Sequence, residues 1–320
     1  MRTRTRGWAA LIAAAAAAAI GCQAGGQNAG SAARLSPRTA DGKPDFTGIW
    51  QTNNEAYWDL QAHGARPGMV TQPGVYPYEY AQVAAAPVVA LGAAAGVPAS
   101  LGVVEGDGEI PYRPEAAAIR KENAANWIDR DPELKCYLPG TPRAMYMPYP
   151  FQVVQGDKQV QMAFAFSNAS RTIHFGKVTG PPTDTYMGHS VGRWEGGTLV
   201  VDVTDFNGRN WFDRAGNFHS EQLHLTERYT LQTPDVIHYE VTIEDPNTFT
   251  RPWKIAMPIY RRMEPNAQVM EYRCVEFAEE FLFGNLRKTP LVRHWEGETM
   301  IVDITRKIPP GDKLYEWYRR

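Results

Sequence analysis

Several features of common protein classes are missing from this chain of 320 residues. No apolar run reaches the roughly 20 residues that a membrane-spanning helix needs, so a permanent transmembrane helix is not expected. The formal net charge is −2 and there is no basic stripe or lysine-rich tail, which argues against a nucleic-acid partner. No phosphate-binding loop, dinucleotide fingerprint, haem motif, H-x-H or H-E-x-x-H pattern occurs. The sequence therefore predicts no cofactor and no metal.

The first residues have the pattern of a bacterial export signal. Three arginines lie in residues 1–6, an alanine-rich apolar run follows, and the run ends in Gly21-Cys22. Residues 1–21 are therefore predicted to be a signal peptide, with Cys22 as a lipidated residue; cleavage nearby without lipid is the alternative. Residues 22–40 are predicted to form a flexible tether, because they are rich in small and polar residues. Gln23 in place of aspartate slightly favours the outer over the inner membrane, and the membrane contact is expected through the lipid alone.

The chain has three cysteines. With Cys22 used for lipidation, Cys136 and Cys274 remain, and an even pair in an oxidising compartment favours a disulfide bond. Two cysteines are too few for a thiolate zinc site.

Two segments about a hundred residues apart repeat one another, Trp194–Thr204 and Trp295–Thr305, with seven of eleven positions identical. Each is a tight Glu-Gly turn followed by a period-2 strand, a pattern typical of a hairpin. Leu199, Val201 and Val203 fall on one face of the first copy. The fold class expected is mainly β, and the repeat allows two related halves.

Short strands separated by turn residues continue along the chain from Phe151 onward. This spacing is typical of a sandwich or barrel, and we favour an antiparallel, lipocalin-like barrel or half-barrel within one large β domain of residues 41–320. Residues 66–118 form a long Ala-, Pro- and Gly-rich covering loop in this interpretation. One helix is predicted from Pro114 to Trp127, and a second is allowed over Phe277–Arg287. The predicted strands are Phe151–Val154, Val160–Phe166, Thr172–Phe175, Thr198–Asp205, Leu223–Leu231, Val236–Glu244, Trp253–Tyr260, Val269–Cys274 and Met300–Thr305.

Two local patterns suggest catalysis but have simpler explanations. Gly188-His-Ser-Val-Gly192 fits the G-x-S-x-G nucleophile elbow, which needs a strand, a strained turn and a helix. Because a hairpin and not a helix follows, Ser190 is interpreted as a turn serine. Glu276, Glu279 and Glu280 share one side of a possible helix and are interpreted as a solvated face rather than an acid/base pair.

The densest group of reactive side chains lies between Asn207 and Arg228. On a strand beginning at Leu223, His224 and Arg228 share one face, while Leu223, Leu225 and Glu227 share the other. Imidazole and carboxylate groups of His189, His219 and Glu221 are also suitable metal ligands, although no spacing motif joins them. The interpretations left open are a polar or aromatic ligand site, a metal site and a structural hydrogen-bond network.

Several segments together resemble a large family of exported bacterial proteins of unknown function. They are Asp41-Gly-Lys-Pro-Asp-Phe-Thr-Gly-Ile-Trp, Cys136-Tyr-Leu-Pro-Gly-Thr-Pro-Arg, Gly188 to Asp202, His219-Ser-Glu and Glu244-Asp-Pro. The resemblance implies no established activity. The segment Tyr-x-Cys-His-Glu-Gly-Asn of that family reads Tyr272-Arg-Cys-Val-Glu-Phe-Ala here, so Val275 stands where a histidine is usual.

The sequence thus predicts an exported, lipid-anchored β-barrel protein that binds a small, partly apolar ligand in a barrel mouth. The alternative is an extracytoplasmic isomerase, lyase or hydrolase in which His219 or His224 is the general base and Glu221 the orienting group or acid. A third interpretation, an envelope or interaction module, would expose an apolar patch. The predicted ligand-binding residues are His189, Arg193, Trp211, His219, Glu221 and His224.

Overall fold

The computed structural model describes residues 36–67, 69–73, 80–84, 96–272, 292–297 and 299–303. Within these residues the protein is mainly β, with one helix of 12 residues and two of a single turn. The helices are α1 (Pro114–Ala125), α2 (Trp127–Arg130) and α3 (Arg143–Tyr146). The strands are β1 (Gly48–Gln51), β2 (Arg66–Pro67), β3 (Met69–Pro73), β4 (Tyr80–Ala84), β5 (Gly96–Val97), β6 (Phe151–Gln155), β7 (Gln159–Phe164), β8 (Ser170–Phe175), β9 (His189–Glu195), β10 (Thr198–Thr204), β11 (His224–Thr233), β12 (Val236–Glu244), β13 (Trp253–Arg261), β14 (Val292–Glu296) and β15 (Thr299–Asp303).

Nine strands form one closed barrel in the order β1-β13-β12-β11-β10-β9-β8-β7-β6. Strand β1 closes it, because Trp50 pairs with Phe151 of β6 on one side and with Arg261 of β13 on the other. Neighbouring barrel strands run antiparallel except β8 and β9, which are parallel. The predicted barrel is confirmed, and it is closed rather than half-open.

The period-2 pattern of the sequence determines which side chains face the interior. In β12, Ile237, Tyr239, Val241 and Ile243 are buried and alternate with partly exposed residues. Leu199, Val201 and Val203 are likewise buried, as predicted for their shared face. Most of the interior therefore consists of aliphatic and aromatic side chains from the barrel strands.

The sequence repeat corresponds to a repeated hairpin. Trp194 pairs with Leu199 in the first copy, and Trp295 pairs with Met300 at the same register in the second. Gly196 and Gly297 have φ values of 59° and 65°, a left-handed conformation that glycine adopts without steric cost. The first hairpin is part of the barrel, whereas β14 and β15 form a separate two-stranded sheet. The repeated sequence thus forms a hairpin of the same register in both places.

The segment predicted as a covering loop contains short ribbons, β2 with β5 and β3 with β4. Its later part lies along the barrel wall: Val104 bridges to Ile255 of β13, and Tyr112 bridges to Phe249. The helix predicted from Pro114 to Trp127 is confirmed as α1, with proline in its first turn. No helix among the described residues is long and apolar enough to cross a membrane.

Two strand predictions differ from the structure. Residues 189–195 form strand β9, although the glycines there suggested a turn. Conversely, Val269–Tyr272 is not a strand, while Cys274 and the predicted helix Phe277–Arg287 lie outside the described residues.

Candidate functional site

The six predicted ligand-binding residues do not share one environment. Trp211 and His219 are buried, with 4% and 2% of their surfaces exposed. Arg193 and His224 lie on the outer wall, where both contact Asp202. The structure therefore does not join these residues in one pocket.

His219 is enclosed by aromatic rings. Its ring centroid lies 5.7 Å from that of Phe206 and 5.2 Å from that of Phe212. Nδ1 lies 2.8 Å from the carbonyl oxygen of Ser220, so it carries the proton and donates to that oxygen. Nε2 is buried without a partner among the described residues. Burial lowers the pKa of His219, so the ring is neutral near pH 7.

The catalytic alternative required His219, Glu221 and His224 to work together. His224 faces outward between Asp202 and Glu244, with its Nδ1 3.1 Å from the Glu244 carboxylate. Glu221 is exposed, whereas His219 points into the aromatic group. The three side chains are not assembled around a common point, so this geometry provides no acid–base pair.

His189 begins β9, and its ring stacks on that of His174 at a centroid distance of 5.7 Å. Its Nε2 is buried without a partner among the described residues. No group of three or more His, Cys, Asp or Glu side chains in the described part of the chain is arranged to hold a metal ion.

Ser190 faces the barrel interior and is 1% exposed, which corrects its interpretation as a turn serine. The glycines around it have packing roles. Gly188 has a φ of 69°, and a Cβ atom there would lie 2.9 Å from the Phe206 ring. A Cβ atom on Gly192 would lie 2.8 Å from Ile173. The G-x-S-x-G pattern is therefore explained by close packing in the barrel.

A buried polar group that sequence reasoning missed lies inside the barrel. This interior cluster consists of Arg171, Ser190, Glu227, Tyr229 and Tyr239. Arg171 donates to both Glu227 carboxylate oxygens, and its Nε donates to Ser190 Oγ at 2.8 Å. Tyr239 and Tyr229 donate to Glu227 Oε1 at 2.6 and 3.0 Å. The Glu227 carboxylate accepts all of these hydrogen bonds and forms a buried ion pair with Arg171.

Three members of the interior cluster, Arg171, Tyr229 and Tyr239, stay protonated near neutral pH. Burial alone disfavours the Arg171 guanidinium, but the attraction of Glu227 outweighs it and raises the pKa of Arg171. Burial, followed by the charge of Glu227, raises the pKa of Tyr229 and Tyr239 well above their usual value. Both phenols therefore remain protonated and act as donors.

Beside this cluster lies an apolar chamber inside the barrel, with a free volume of about 10 Å³. A void of this size holds about one water molecule. Its lining surface is apolar, and Tyr229 is the lining residue that also belongs to the interior cluster. It is formed by Phe46, Met145, Phe151, Val153, Val160, Met162, Leu199, Tyr229, Ile237 and Ile259.

Two chamber walls come from outside the barrel strands. Met145 belongs to α3, and Phe46 belongs to residues 44–47, which we call the strap. The side-chain amide of Gln155 holds the strap: it accepts from Phe46 N–H and donates to the Pro44 carbonyl, both at 3.0 Å. Phe46 stacks on Trp194 at 6.0 Å. The strap thus closes the chamber without being part of the sheet ladder.

A second buried polar network lies beneath α1 and α2. Asp213 is fully buried and accepts from the Leu60 N–H at 2.9 Å and from the backbone and side-chain N–H groups of Asn217. Burial, reinforced by the charge of Asp59, raises the pKa of Asp213 to about 7. Its unfolded value is near 4.

Because folding raises the pKa of Asp213, the folded state retains its proton between about pH 4 and 7 and the unfolded state does not. The free energy of unfolding should therefore fall as pH rises through this window, by about 2 kcal/mol between pH 5 and 7. Urea unfolding of the wild type and Asp213→Asn at pH 5, 6, 7 and 8 measures this, with a flatter profile expected for the variant. Folding lowers the pKa of His219, so this residue makes the protein less stable as pH falls below the pKa of the unfolded histidine. This effect is present in both proteins and cancels in the comparison. Parallel profiles would contradict the assignment.

Cys136 is disulfide-bonded and has a left-handed φ of 62°. Cys274 lies outside the described residues, so its pairing with Cys136 stays a prediction. Cys22, Glu276, Glu279 and Glu280 also lie outside the described part of the chain.

The interior cluster was missed because its members are distant in sequence; Arg171 and Glu227 are 56 positions apart. The available signal was Glu227 itself, a charged residue on the same strand face as Leu223 and Leu225.

Comparison of the chain with protein-family models, curated proteins and solved structures found no match.

Proposed function

We propose that this protein is exported, is anchored to a membrane by lipid on Cys22, and binds a small apolar ligand in the apolar chamber. The pattern of residues 1–22 supports export. The disulfide bond of Cys136 also supports it, because such bonds persist in oxidising compartments. Incorporation of radiolabelled palmitate into the wild type, and its absence from Cys22→Ser, tests the anchor.

The observation that carries the binding proposal is the construction of the chamber. Small-molecule sites are lined predominantly by hydrophobic and aromatic side chains, as this chamber is. Eight of its ten lining residues are on barrel strands, whereas Phe46 and Met145 are on separate segments. Methionine side chains, of which Met145 and Met162 line the chamber, adapt readily to different shapes. A ligand is accommodated when Phe46 moves out with the strap and the methionines change rotamer.

Fluorobenzene is a suitable probe, because its ring matches the Phe46 side chain that it replaces. Titration followed by ¹⁹F NMR should show saturable binding to the wild-type protein. Ile237→Phe fills the chamber from β12 and should weaken this binding about tenfold or more, a change of at least about 1.4 kcal/mol.

Ile243→Phe is the matched control. It is the same substitution on the same strand, and Ile243 is also buried and inward-facing but does not line the chamber. The larger side chain should lower the free energy of unfolding by about 1–3 kcal/mol in both variants, because it overpacks the interior. Circular dichroism verifies that both variants fold. The absence of fluorobenzene binding to the wild type would refute the proposal. Equal weakening in both variants would place the probe elsewhere.

A further inference from the structure

The charge of the ligand can be inferred from the groups around the chamber, if the proposed function is correct. Nine of the ten lining side chains are hydrocarbon or thioether, and Tyr229 supplies the single hydroxyl. Transfer of an unpaired charge into such surroundings is strongly unfavourable. A charged ligand would therefore need a partner from the interior cluster, which the chamber meets at Tyr229.

The charged groups of the interior cluster are already paired with one another. Arg171 uses both terminal nitrogens on Glu227 and its Nε on Ser190. The Tyr229 hydroxyl donates to Glu227 and accepts from Arg171 at 3.3 Å. A carboxylate that replaced Glu227 on Arg171, or an ammonium that replaced Arg171 on Glu227, would break this ion pair.

The pair is also balanced in charge, since Arg171 and Glu227 carry one positive and one negative charge and are 4% and 0% exposed. Separating the two would leave a buried charge uncompensated, which is strongly unfavourable. We propose that the chamber, once opened by the movement of Phe46, selects an uncharged hydrocarbon and rejects acids and amines of the same shape. Glu227 then acts as a specificity-determining residue, because it occupies Arg171.

Three probes of matched shape test this inference: toluene, benzoate and benzylammonium, each competed against fluorobenzene on the wild-type protein at pH 7. Toluene should displace fluorobenzene. Benzoate and benzylammonium should need a concentration at least about a hundredfold higher to displace it to the same extent. Displacement by benzoate as effective as by toluene would overturn the inference while leaving the binding site established. Failure of fluorobenzene itself to bind would instead refute the proposed function.

Glu227→Gln provides a second measurement on protein shown by circular dichroism to be folded. With its carboxylate removed, Arg171 is free to bind an anion, so the affinity for benzoate relative to toluene should rise about tenfold or more. An unchanged ratio in the folded variant would contradict the role given to Glu227. The wild-type competition decides the question by itself if this variant does not fold.

Discussion

Replacement of Glu227 by glutamine should lower the free energy of unfolding by about 3–5 kcal/mol, the usual cost of breaking a buried ion pair. The amide nitrogen of glutamine cannot accept from Arg171, so a buried guanidinium would be left without its anion. Tyr239 and Tyr229 would also lose part of the acceptor that they share. Thermal unfolding should show a lower Tm by about 10 °C.

Glu240→Gln is the control for this experiment. Glu240 is on β12 and pairs with Lys254 at 2.9 Å on the barrel exterior. An exposed pair of this kind contributes about 0–1 kcal/mol, so the control should unfold near the wild-type temperature. Equal losses in the two variants would show that the interior cluster is accessible to water, contrary to the structure.

Replacement of Arg143 by methionine should have a comparable effect, about 3–5 kcal/mol at pH 7. Arg143 forms two parallel hydrogen bonds with Asp131, at 2.8 and 2.9 Å, and both side chains are buried. Burial already raises the pKa of Asp131 while Arg143 opposes that rise. Without Arg143 the pKa of Asp131 should rise further, so the stability lost by the variant should be smaller at pH 5 than at pH 7.

Arg251→Met removes a surface pair with Asp107, in which both side chains are more than half exposed. It should change the free energy of unfolding by at most about 1 kcal/mol. Urea unfolding of both variants at the two pH values makes the comparison. A loss for Arg143→Met that does not depend on pH would indicate that lost packing, and not the buried Asp131 charge, is its cause.

The sequence was most informative where strands alternate strictly. Val236–Glu244 was predicted with the bounds that the structure shows, because every second residue is apolar and turn residues flank the run. Strand β9 was missed because Gly188, Ser190 and Gly192 are typical of turns. The glycines are there because Phe206, Ile173 and Phe175 approach the backbone closely, and tertiary contacts of this kind leave no local pattern.

Several of the motifs singled out in the sequence can be explained in part by structural contacts between distant segments. Ser220 of the His-Ser-Glu motif donates to Asp245 of the Glu-Asp-Pro motif at 2.8 Å. Gly140 has a φ of 73°, and its lack of a side chain leaves room for Asn210, which donates to the Pro139 carbonyl. Neither contact is predictable from spacing, because the partners lie in different parts of the chain. Residues chosen for their reactivity, such as His224 and Glu221, were therefore poor guides to the interior cluster.

The closing role of β1 has a consequence for the order in which the chain can fold. Gln51 and Arg262 are hydrogen-bonded although they are 211 positions apart, and β1 has partners at both ends of the barrel sequence. Contacts of such long sequence separation form late and slow folding. If the chain crosses a membrane with its amino terminus first, β1 emerges long before β13 and cannot close the barrel until β13 follows. The topology would thereby keep the barrel open, and the chain able to thread, until nearly all of it has been translocated.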